Sequence, residues 1–338
     1  MLRCRDEGAW AAIRSAAYAV KVRHCGKLVS LRALVECSDI CAKDCLYCGI
    51  RKSNSRVPRY RLTEDEIVAC ACEASSWGAG SLALQAGEIE SEANTAFYER
   101  VLERIRPLGL GVTLSLGEQA DETYRRWREA GAVRYLLRIE TSNRQLYGRL
   151  HPADHSWTRR AACLAVLRRL DYQVGTGVMI GLPGQTEDDL ARDIVFFGET
   201  DADMIGMGPY LPHPETPLAA VSADPHRGYR LGLRMIALAR LYLHDVNIAA
   251  TTALQALAPD GREQGVLHGA NVIMPNLTPL RCRAGYRLYD GKPDQDENGA
   301  AARARLQSSL AAIGERVNVG AQGNSPHYLR RTSRDFVV

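Results

Sequence analysis

The chain has 338 residues, of which 46% are hydrophobic and 24% are charged. This composition is typical of a globular protein with a sizeable core, and it excludes a disordered, collagen-like or coiled-coil chain. The net charge of +4, from 43 basic and 39 acidic residues, is too balanced to predict a nucleic-acid or membrane partner. No run of about 18 apolar residues and no apolar leader occurs, so we expect a cytoplasmic protein.

Beyond Gly26, short β-branched runs alternate with longer amphipathic stretches. The predicted strands cover residues 28–36, 81–85, 111–116, 133–139, 173–182, 203–211, 247–253 and 270–275. The predicted helices cover residues 66–77, 92–105, 120–131, 187–199, 226–243 and about 300–314, with further helical segments up to about residue 171. Thr63 and Glu66 have the spacing of a capping box before the first of these helices.

This alternation indicates right-handed βαβ units and a parallel sheet. About eight such units favour an α/β fold, a (βα)8 TIM-type barrel, with a doubly wound sheet as the alternative because one sequence does not reveal strand order. No linker interrupts the pattern, so we expect one domain over residues 1–338. Residues 1–25 would form a helical cap over the bottom of the barrel, 26–295 the barrel itself, and 296–338 a C-terminal helix and a solvated tail.

Polar residues follow the predicted strands more often than turns alone require. Active sites of such barrels lie at the C-terminal ends of the strands. The residues at those positions are Cys41, Gln85, Gly87, Glu88, Ser115, Glu118, Arg138, Glu140, Thr251, Thr252 and Asn276. We therefore expect a functional site at this end of the barrel.

Four of the ten cysteines lie within twelve residues, which indicates metal or cluster chemistry rather than a disulfide framework. Cys41, Cys45 and Cys48 form a CxxxCxxC motif on the predicted loop after the first strand. Three thiolates on a short loop can ligate three irons of a cubane cluster. The fourth iron then stays open and can chelate the amino and carboxylate groups of S-adenosylmethionine (SAM).

Three other interpretations of the cysteines remain open from spacing alone. A structural zinc site would need four ligands, and Cys37 could be the fourth. Cys45 and Cys48 could form a redox CxxC pair, and coincidence in a cysteine-rich chain is the last alternative. We expect Cys37 to lie in the core at the strand end, and Cys70 and Cys72 to pack as small hydrophobic residues on a helix.

The CxxxCxxC motif with an aromatic residue before its last cysteine resembles the radical SAM superfamily. Matching segments in order, from about residue 28 to about 292, resemble the HydE family of FeFe-hydrogenase maturases more specifically; they include CAKDCLYCGIRKSN, GVTLSLGE, GVMIGLPGQTEDDL, MIGMGPYLPHPETPL and GANVIMPNLTP. Biotin synthase and methylornithine synthase are more distantly similar. The resemblance implies one 4Fe-4S cluster, SAM and a 5′-deoxyadenosyl radical that acts on a cysteine-bound iron carbonyl cyanide synthon. It also implies a flavodoxin or ferredoxin as electron donor and the other hydrogenase maturases as partners.

The resemblance also implies roles for individual residues. The cluster ligands are Cys41, Cys45 and Cys48. The residues that match SAM-binding positions are Tyr47, Gly87, Glu88, Glu140 and Arg160, with Met207 as a weaker candidate. The residues that match the lining of the substrate cavity are Thr113, Ser115, Arg138, Thr251 and Thr252, with Tyr286 and Tyr289 as weaker candidates. The match at Arg160 could slip by one residue, because Arg159 adjoins it.

Two departures from the family pattern affect the interpretation. Only Cys282 lies beyond Cys163, so a second, C-terminal cysteine cluster cannot form. Ile139 stands where many family members have histidine, which leaves the substrate open. A HydE-like paralogue that acts on a small amino-acid-type substrate, by mutase or sulfur chemistry, is therefore the alternative. An alternative of another class is a zinc-stabilised, non-catalytic barrel that binds a partner.

Overall fold

A ring of parallel strands forms the centre of the protein, described here from a computed structural model over residues 1–221, 224–293 and 299–334. The strands of the ring are β1 (Leu28–Ser38), β2 (Ser81–Ala86), β3 (Gly111–Ser115), β4 (Ala132–Leu136), β5 (Gln173–Thr176), β7 (Met204–Ile205), β9 (Asn247–Ile248) and β10 (Val272–Ile273). Two further strands, β6 (Met179–Ile180) and β8 (Gly208–Pro209), extend β5 and β7 and pair with each other. We call the end where the strands finish the top of the barrel.

Hydrogen bonds close this sheet on itself. The strands are parallel and follow the order β10, β1, β2, β3, β4, β5, β7, β9. The ring closes where the Asn271 amide donates to the Ile248 carbonyl and the Ala250 amide to the Val272 carbonyl, both at 2.9 Å. A doubly wound sheet stays open, so the closure confirms the predicted α/β barrel.

Helices surround the ring. They are α1 (Glu7–Cys25), α2 (Glu64–Ser76), α3 (Glu92–Ile105), α4 (Asp121–Ala130), α5 (Arg144–Leu150), α6 (Trp157–Arg169), α7 (Glu187–Glu199), α8 (Pro225–Leu243), α9 (Thr252–Leu257), α10 (Gly261–Leu267), α11 (Leu280–Arg283), α12 (Gly299–Ala312) and α13 (Pro326–Arg334). The predicted capping box is present, because the Glu66 amide donates to Thr63 Oγ1 and the Thr63 amide to Glu66 Oε2. In the described parts of the chain, no helix is both long and apolar enough to span a membrane.

Side chains of the strands alternate between the barrel interior and an outer core beneath the helices, as the two-residue period of a strand requires. On β1, the interior residues are Arg32, Leu34 and Glu36. The residues between and after them, Ala33, Val35 and Cys37, pack with α2 and α3 in the outer core. Cys70 joins that core as predicted, whereas Cys72 is exposed, so the prediction that Cys72 packs inside was wrong.

The two ends of the chain pack on the outside and on the bottom of the barrel. α1 lies along the outside of α8, where Trp10 and Ala17 pack on Ala237, and Lys21 near the end of α1 pairs with Glu315, which follows α12. The segment after α12 covers the bottom: β11 (Arg316–Val317) pairs with the start of β1. There the guanidinium of Arg134, which is fully buried, donates to the Gln322 carbonyl at 2.8 Å.

The predicted solvated tail contains α13, which ion pairs hold against the barrel. His327 Nδ1 lies 2.8 Å from Asp203 Oδ1, and Arg330 Nε lies 2.9 Å from Asp245 Oδ2. Asp203 is fully buried, so it requires a cationic or hydrogen-bonding partner. The tail therefore belongs to the folded structure through residue 334.

Candidate active site

The three cysteines of the motif lie together on the loop that follows β1, at the top of the barrel. All three are partly buried free thiols. The Cys41 sulfur accepts hydrogen bonds from the backbone amides of Lys43 and Glu88 at 3.4 and 3.3 Å. Burial raises the pKa of Cys45 to about 12 and that of Cys48 well above its ordinary value, and the neighbouring motif sulfurs raise both further. The three thiols thus lie on one loop, as the ligands of a single cluster would.

The donor arrangement fits a cluster better than a single metal ion. Within the described residues, no three Cys, His, Asp or Glu side chains converge tightly enough to hold one ion. Zinc needs its thiolates around one point at about 2.3 Å, whereas a cubane cluster takes one thiolate per iron. Cys37, the candidate fourth zinc ligand, instead lies in the outer core with its sulfur 3.5 Å from the Val35 carbonyl.

Gly87 allows the end of β2 to approach the cysteine loop closely. Its amide donates to the Ser38 carbonyl at 2.9 Å. A Cβ at this position would lie 2.3 Å from the Ile40 carbonyl oxygen and 2.8 Å from the Cβ of Cys41. Because such contacts are sterically forbidden, only glycine fits here without displacing Cys41.

We expect Gly87→Ala to lower the iron content of anaerobically reconstituted protein by about half or more, because overpacking of about 1–3 kcal/mol displaces the loop. The matched control is Gly148→Ala in α5, where an added Cβ meets nothing within 4 Å. That substitution should leave iron unchanged and stabilise the helix by about 0.5–1 kcal/mol. Full iron content in Gly87→Ala would show that the loop tolerates the extra methyl group.

Arg160, on α6, connects two buried carboxylates beside the loop. Its Nε donates to Glu118 Oε1 at 2.8 Å, and its Nη2 lies 3.3 Å from Glu88 Oε2. Lys43 Nζ lies 3.2 Å from the other Glu88 oxygen. Burial raises the pKa of Glu88, and the opposite charge of Arg160 opposes that rise. These ion pairs hold the Glu88 backbone, and therefore Cys41, in place.

The buried arginine of α6 is Arg160 and not its neighbour. The side chain of Arg159 is half exposed and pairs with Glu90 on the surface at 2.7 Å, although its Nε also lies 3.4 Å from Oε2 of the buried Glu118. Arg160, the residue that matches the family position, therefore lies on the side of α6 that faces the cysteine loop. Glu118 accepts the shortest of the hydrogen bonds from Arg160. From the sequence, Glu118 was one of the polar residues at the strand ends, but no role was predicted for it.

Glu140 follows β4 in an unusual backbone conformation. Its φ of 65° lies in the left-handed region, which is strained for a residue other than glycine. The amide of Glu140 donates to the Gly177 carbonyl at 3.0 Å, and its carbonyl accepts from the Met179 amide at 3.1 Å. Its buried Oε2 has no hydrogen bond among the described residues, although Arg138 Nη2 lies 3.3 Å away. This oxygen is available to a ligand hydroxyl or ammonium group.

Tyr47 and two histidines border the loop. The Tyr47 hydroxyl lies 3.0 Å from Nε2 of His151, and the His151 ring stacks on Tyr147 with 3.9 Å between centroids. Burial lowers the pKa of His151 to about 3, so its ring is neutral at physiological pH. His155 Nδ1 lies 3.9 Å from the Cys45 sulfur. Neither histidine was identified from the sequence.

A cavity of about 210 Å³ opens at the top of the barrel. It brings together four predicted substrate residues, namely Ser115, Arg138, Thr251 and Thr252. Thr113 lies one layer deeper, beside a cavity of about 30 Å³ that Arg32 also lines. The Thr252 hydroxyl lies 2.7 Å from that of Tyr289, whereas Thr251 Oγ1 has no hydrogen-bond partner among the described residues. The predicted residues therefore share one interior space.

Met207, a weaker candidate for SAM binding, and Ile139, which departs from the family pattern, both face away from this cavity. Met207 and Ile139 are fully buried in the outer core between the sheet and its helices, and Gly206, Gly208 and Met179 line the cavity instead. The structure thus does not bring Met207 to the cavity. Ile139 likewise leaves the chemistry of the cavity wall unchanged, because its neighbour Arg138 takes the interior position.

An ion pair in the cavity wall was not predicted. Lys292 Nζ pairs with Glu36 Oε1 and donates to the Tyr286 carbonyl at 3.0 Å. Asn276 Nδ2 donates to the second Glu36 oxygen at 3.1 Å. Glu36 could have been identified from the sequence, because the two-residue period of β1 places its side chain in the barrel interior. Lys292 carried no such signal, because it follows the last strand of the barrel.

A closed parallel barrel with a CxxxCxxC loop after its first strand defines a radical SAM enzyme. The chain matches the family described as the Radical SAM superfamily over residues 35–197, and this superfamily implies a 4Fe-4S cluster and SAM. The chain is 45% identical over 291 residues to the FeFe hydrogenase maturase subunit HydE of Thermotoga maritima, covering 86% of this chain and 82% of that protein. It therefore belongs to the HydE family.

More distant relatives share the same barrel. The 3-methylornithine synthase of Methanosarcina acetivorans is 26% identical, over 82% of this chain and 78% of its own length. The solved structure of methylornithine synthase (PylB) superposes with a TM-score of 0.81 at 22% identity, covering 94% of this chain and 92% of that one. The maturase HydG from Carboxydothermus hydrogenoformans gives 0.74 at 20% identity, over 91% and 71% of the two chains. Both structural likenesses concern the fold alone.

Proposed function

We propose that this protein is a radical SAM enzyme of FeFe-hydrogenase maturation that acts on a cysteine-bound iron carbonyl cyanide synthon. The observation that carries the proposal is the cysteine loop beside the Arg138 cavity, where the Gly49 amide donates to the carbonyl of the cavity-lining Leu288 at 3.1 Å, in a chain 45% identical to a HydE. Such a loop would hold a reductive centre beside a concave space for a small substrate. The barrel walls limit the access of water and oxygen, which radical chemistry must exclude.

Cys41, Cys45 and Cys48 would hold one 4Fe-4S cluster through their thiolates. Bound there, the cluster and SAM supply a 5′-deoxyadenosyl radical through reductive cleavage of a carbon–sulfur bond. The thiols lose their protons on ligation, so their high pKa values describe only the cluster-free protein. The amides of Lys43 and Glu88, which donate to Cys41, stabilise its thiolate.

Residues around the loop would orient SAM. Glu140 would offer the ribose a carboxylate oxygen, Oε2, that has no hydrogen bond among the described residues although Arg138 Nη2 lies 3.3 Å away, and Arg160 would be the cation for the SAM carboxylate. The backbone of Gly87 and Glu88 would bind the amino group, and the backbone of Tyr47, on the cysteine loop, would contact the adenine. Their close fit around the cysteine loop supports these roles.

The cavity would hold the substrate through its amino-acid part. Arg138 provides a guanidinium for a carboxylate, and the hydroxyls of Thr251 and Thr252 can complete the anion site. Ser115 and, one layer deeper, Thr113 would contact the far end of the substrate. Glu36 neutralises Lys292 in the cavity wall. Arg138 pairs with Glu140 through Nη2, but its buried Nε has no hydrogen-bond partner among the described residues and can donate to a substrate carboxylate.

The decisive experiment replaces a known HydE with this protein in an in vitro maturation of apo-hydrogenase. We expect hydrogenase activity to appear only when this protein, SAM, a reductant and the other maturases are present. Omission of each component is the control. Cleavage of SAM without any activation of hydrogenase would point to the paralogue, and a colourless protein that binds one zinc per chain would point to the non-catalytic barrel.

The electron donor is a flavodoxin or a ferredoxin, and the charge of the cysteine loop supports such an acidic carrier. Residues 41–61 contain six basic residues and one acidic residue, a net charge of +5, so the rest of the chain has a net charge of −1. Lys52 is exposed, and the side chain of Arg56 is 78% exposed although Glu215 lies 3.8 Å away. A positive surface steers an acidic partner toward the centre that it reduces.

We expect the double variant Lys52→Glu/Arg56→Glu to slow cluster reduction by reduced flavodoxin about tenfold at low salt. The effect should shrink as ionic strength rises, because salt screens exposed charges. Stopped-flow absorbance near 400 nm measures the rate, and dithionite, a small reductant, should reduce both proteins equally fast. The matched control reverses Arg23 and Lys27, which are exposed at the opposite end of the barrel. An equal loss in that control would exclude docking at the cysteine loop.

A further inference from the structure

A histidine outside the cysteine motif contacts one of its sulfurs. His155 lies on the turn between α5 and α6, where its amide donates to the Pro152 carbonyl at 3.0 Å. Its side chain is 4% exposed, and its Nδ1 lies 3.9 Å from the Cys45 sulfur. The sulfur is therefore within hydrogen-bonding range of a buried ring nitrogen.

A buried imidazole needs a hydrogen-bond partner, and few acceptors lie within reach of the His155 ring. Asp154 Oδ1 lies 3.7 Å from Nε2, which is beyond hydrogen-bond distance, and the nearby Lys43 and Arg160 are cations that can only donate. The side chain of Asp154 is 83% exposed, so water solvates that carboxylate. The Cys45 sulfur is thus the hydrogen-bond partner that the fold provides for the buried ring.

The neighbouring histidine shows that this contact is specific. His151, four residues earlier, is also buried, but its Nδ1 lies 2.9 Å from the Tyr147 carbonyl and its Nε2 3.0 Å from the Tyr47 hydroxyl. Both nitrogens of His151 have oxygen partners and neither contacts a motif cysteine. Of these two rings, only His155 is directed at sulfur.

We propose that His155 is a positioning residue of the cluster, which donates an Nδ1–H hydrogen bond to the Cys45 thiolate and thereby raises the reduction potential of the cluster. The inference rests on the proposed function, because it requires Cys45 to ligate iron. An iron-bound thiolate has no proton and can only accept, so the proton of the contact must be on Nδ1.

The direction of the effect follows from charge. Reduction adds one electron to the cluster and makes its sulfur ligands more negative. A hydrogen bond to an anionic acceptor strengthens as the negative charge grows, so the donor stabilises the reduced form more than the oxidised form. Hydrogen bonds to cluster sulfurs are among the factors that set the potentials of iron–sulfur proteins.

The test is a redox titration of the reconstituted full-length protein, followed by electron paramagnetic resonance of the reduced cluster in the absence of SAM. At a fixed solution potential, we expect His155→Leu to lower the ratio of reduced to oxidised cluster about threefold, equivalent to about 30 mV for a one-electron couple. His155→Asn, which places an amide N–H near the position of Nδ1, should restore most of the ratio. His268→Leu, which removes another buried histidine bonded to a backbone carbonyl in α10, should leave the ratio unchanged.

Iron and sulfide are measured first for every variant. A wild-type protein without a 4Fe-4S cluster would contradict the proposed function itself. A cluster that forms in His155→Leu with the wild-type potential would overturn only the role of His155. If His155→Leu fails to assemble a cluster, the role of His155 is decided by comparing His155→Asn with the wild type, both labelled with ¹⁵N-histidine. A nitrogen coupling to the reduced cluster that is present in the wild type and absent from His155→Asn supports the contact, and its absence from both overturns it.

Discussion

Serine in place of Cys41, Cys45 or Cys48 should abolish cluster assembly and the release of 5′-deoxyadenosine. A hydroxyl keeps its proton near neutral pH and is a hard donor, so it replaces a soft thiolate poorly at iron. Wild-type protein should contain about four irons and four sulfides per chain, because the sequence supports one cysteine triad. Iron analysis, absorbance near 400 nm and chromatography of the SAM cleavage products measure the result.

The matched controls are Cys37→Ser and Cys70→Ser, which change cysteines of the same chain that pack in the outer core. They should retain full iron, while stability should fall by about 1–3 kcal/mol because a hydroxyl is more polar than the thiol that it replaces in the apolar outer core. Loss of the cluster in Cys37→Ser together with retention in Cys41→Ser would overturn the ligand assignment. Close to eight irons per wild-type chain would reveal a second site.

Local sequence signals predicted the helices more accurately than the strands. α3 and α7 begin and end at the predicted residues, because Ser91 and Thr186 cap their N-termini through side-chain hydrogen bonds. The strand predicted over 247–253 is reduced to β9, at Asn247–Ile248. Apolar and β-branched composition does not distinguish the paired part of a strand from the loop that continues it, since pairing depends on neighbouring strands.

The site residues were predictable where they lie in one short segment or match a family motif. The cysteine loop is such a segment: its spacing favoured a cluster, and the family resemblance supported that interpretation over zinc or redox chemistry. Lys292 and His155 were not predictable, because each reaches the site from a turn or loop whose position only the folded chain determines. Ile139 shows the converse: it adjoins Arg138 in sequence, yet the strand period directs it into the outer core.

Arg138→Lys should lower product formation about tenfold or more while the cluster and SAM binding stay nearly intact. The side chain of Arg138 is 34% exposed, and its Nη2 donates to the Val178 carbonyl at 2.7 Å. A lysine keeps the charge but loses the planar fork, so it cannot hold that carbonyl and grip a substrate carboxylate with two parallel bonds. A charge-assisted hydrogen bond contributes roughly 1.5–3 kcal/mol, which corresponds to a tenfold loss or more. 5′-Deoxyadenosine should still form, uncoupled from product.

Arg125→Lys is the matched control, because Arg125 makes exposed ion pairs with Glu122 and Glu129 within α4 and such pairs contribute about 0–1 kcal/mol. It should leave both product formation and SAM affinity unchanged. The proximity of Arg138 to Glu140, 3.3 Å between Nη2 and Oε2, makes SAM affinity the critical second measurement. If Arg138→Lys destroys SAM binding and leaves substrate affinity unchanged, Arg138 acts on the cofactor through Glu140. The carboxylate site of the cavity must then be built from Thr251 and Thr252 without it.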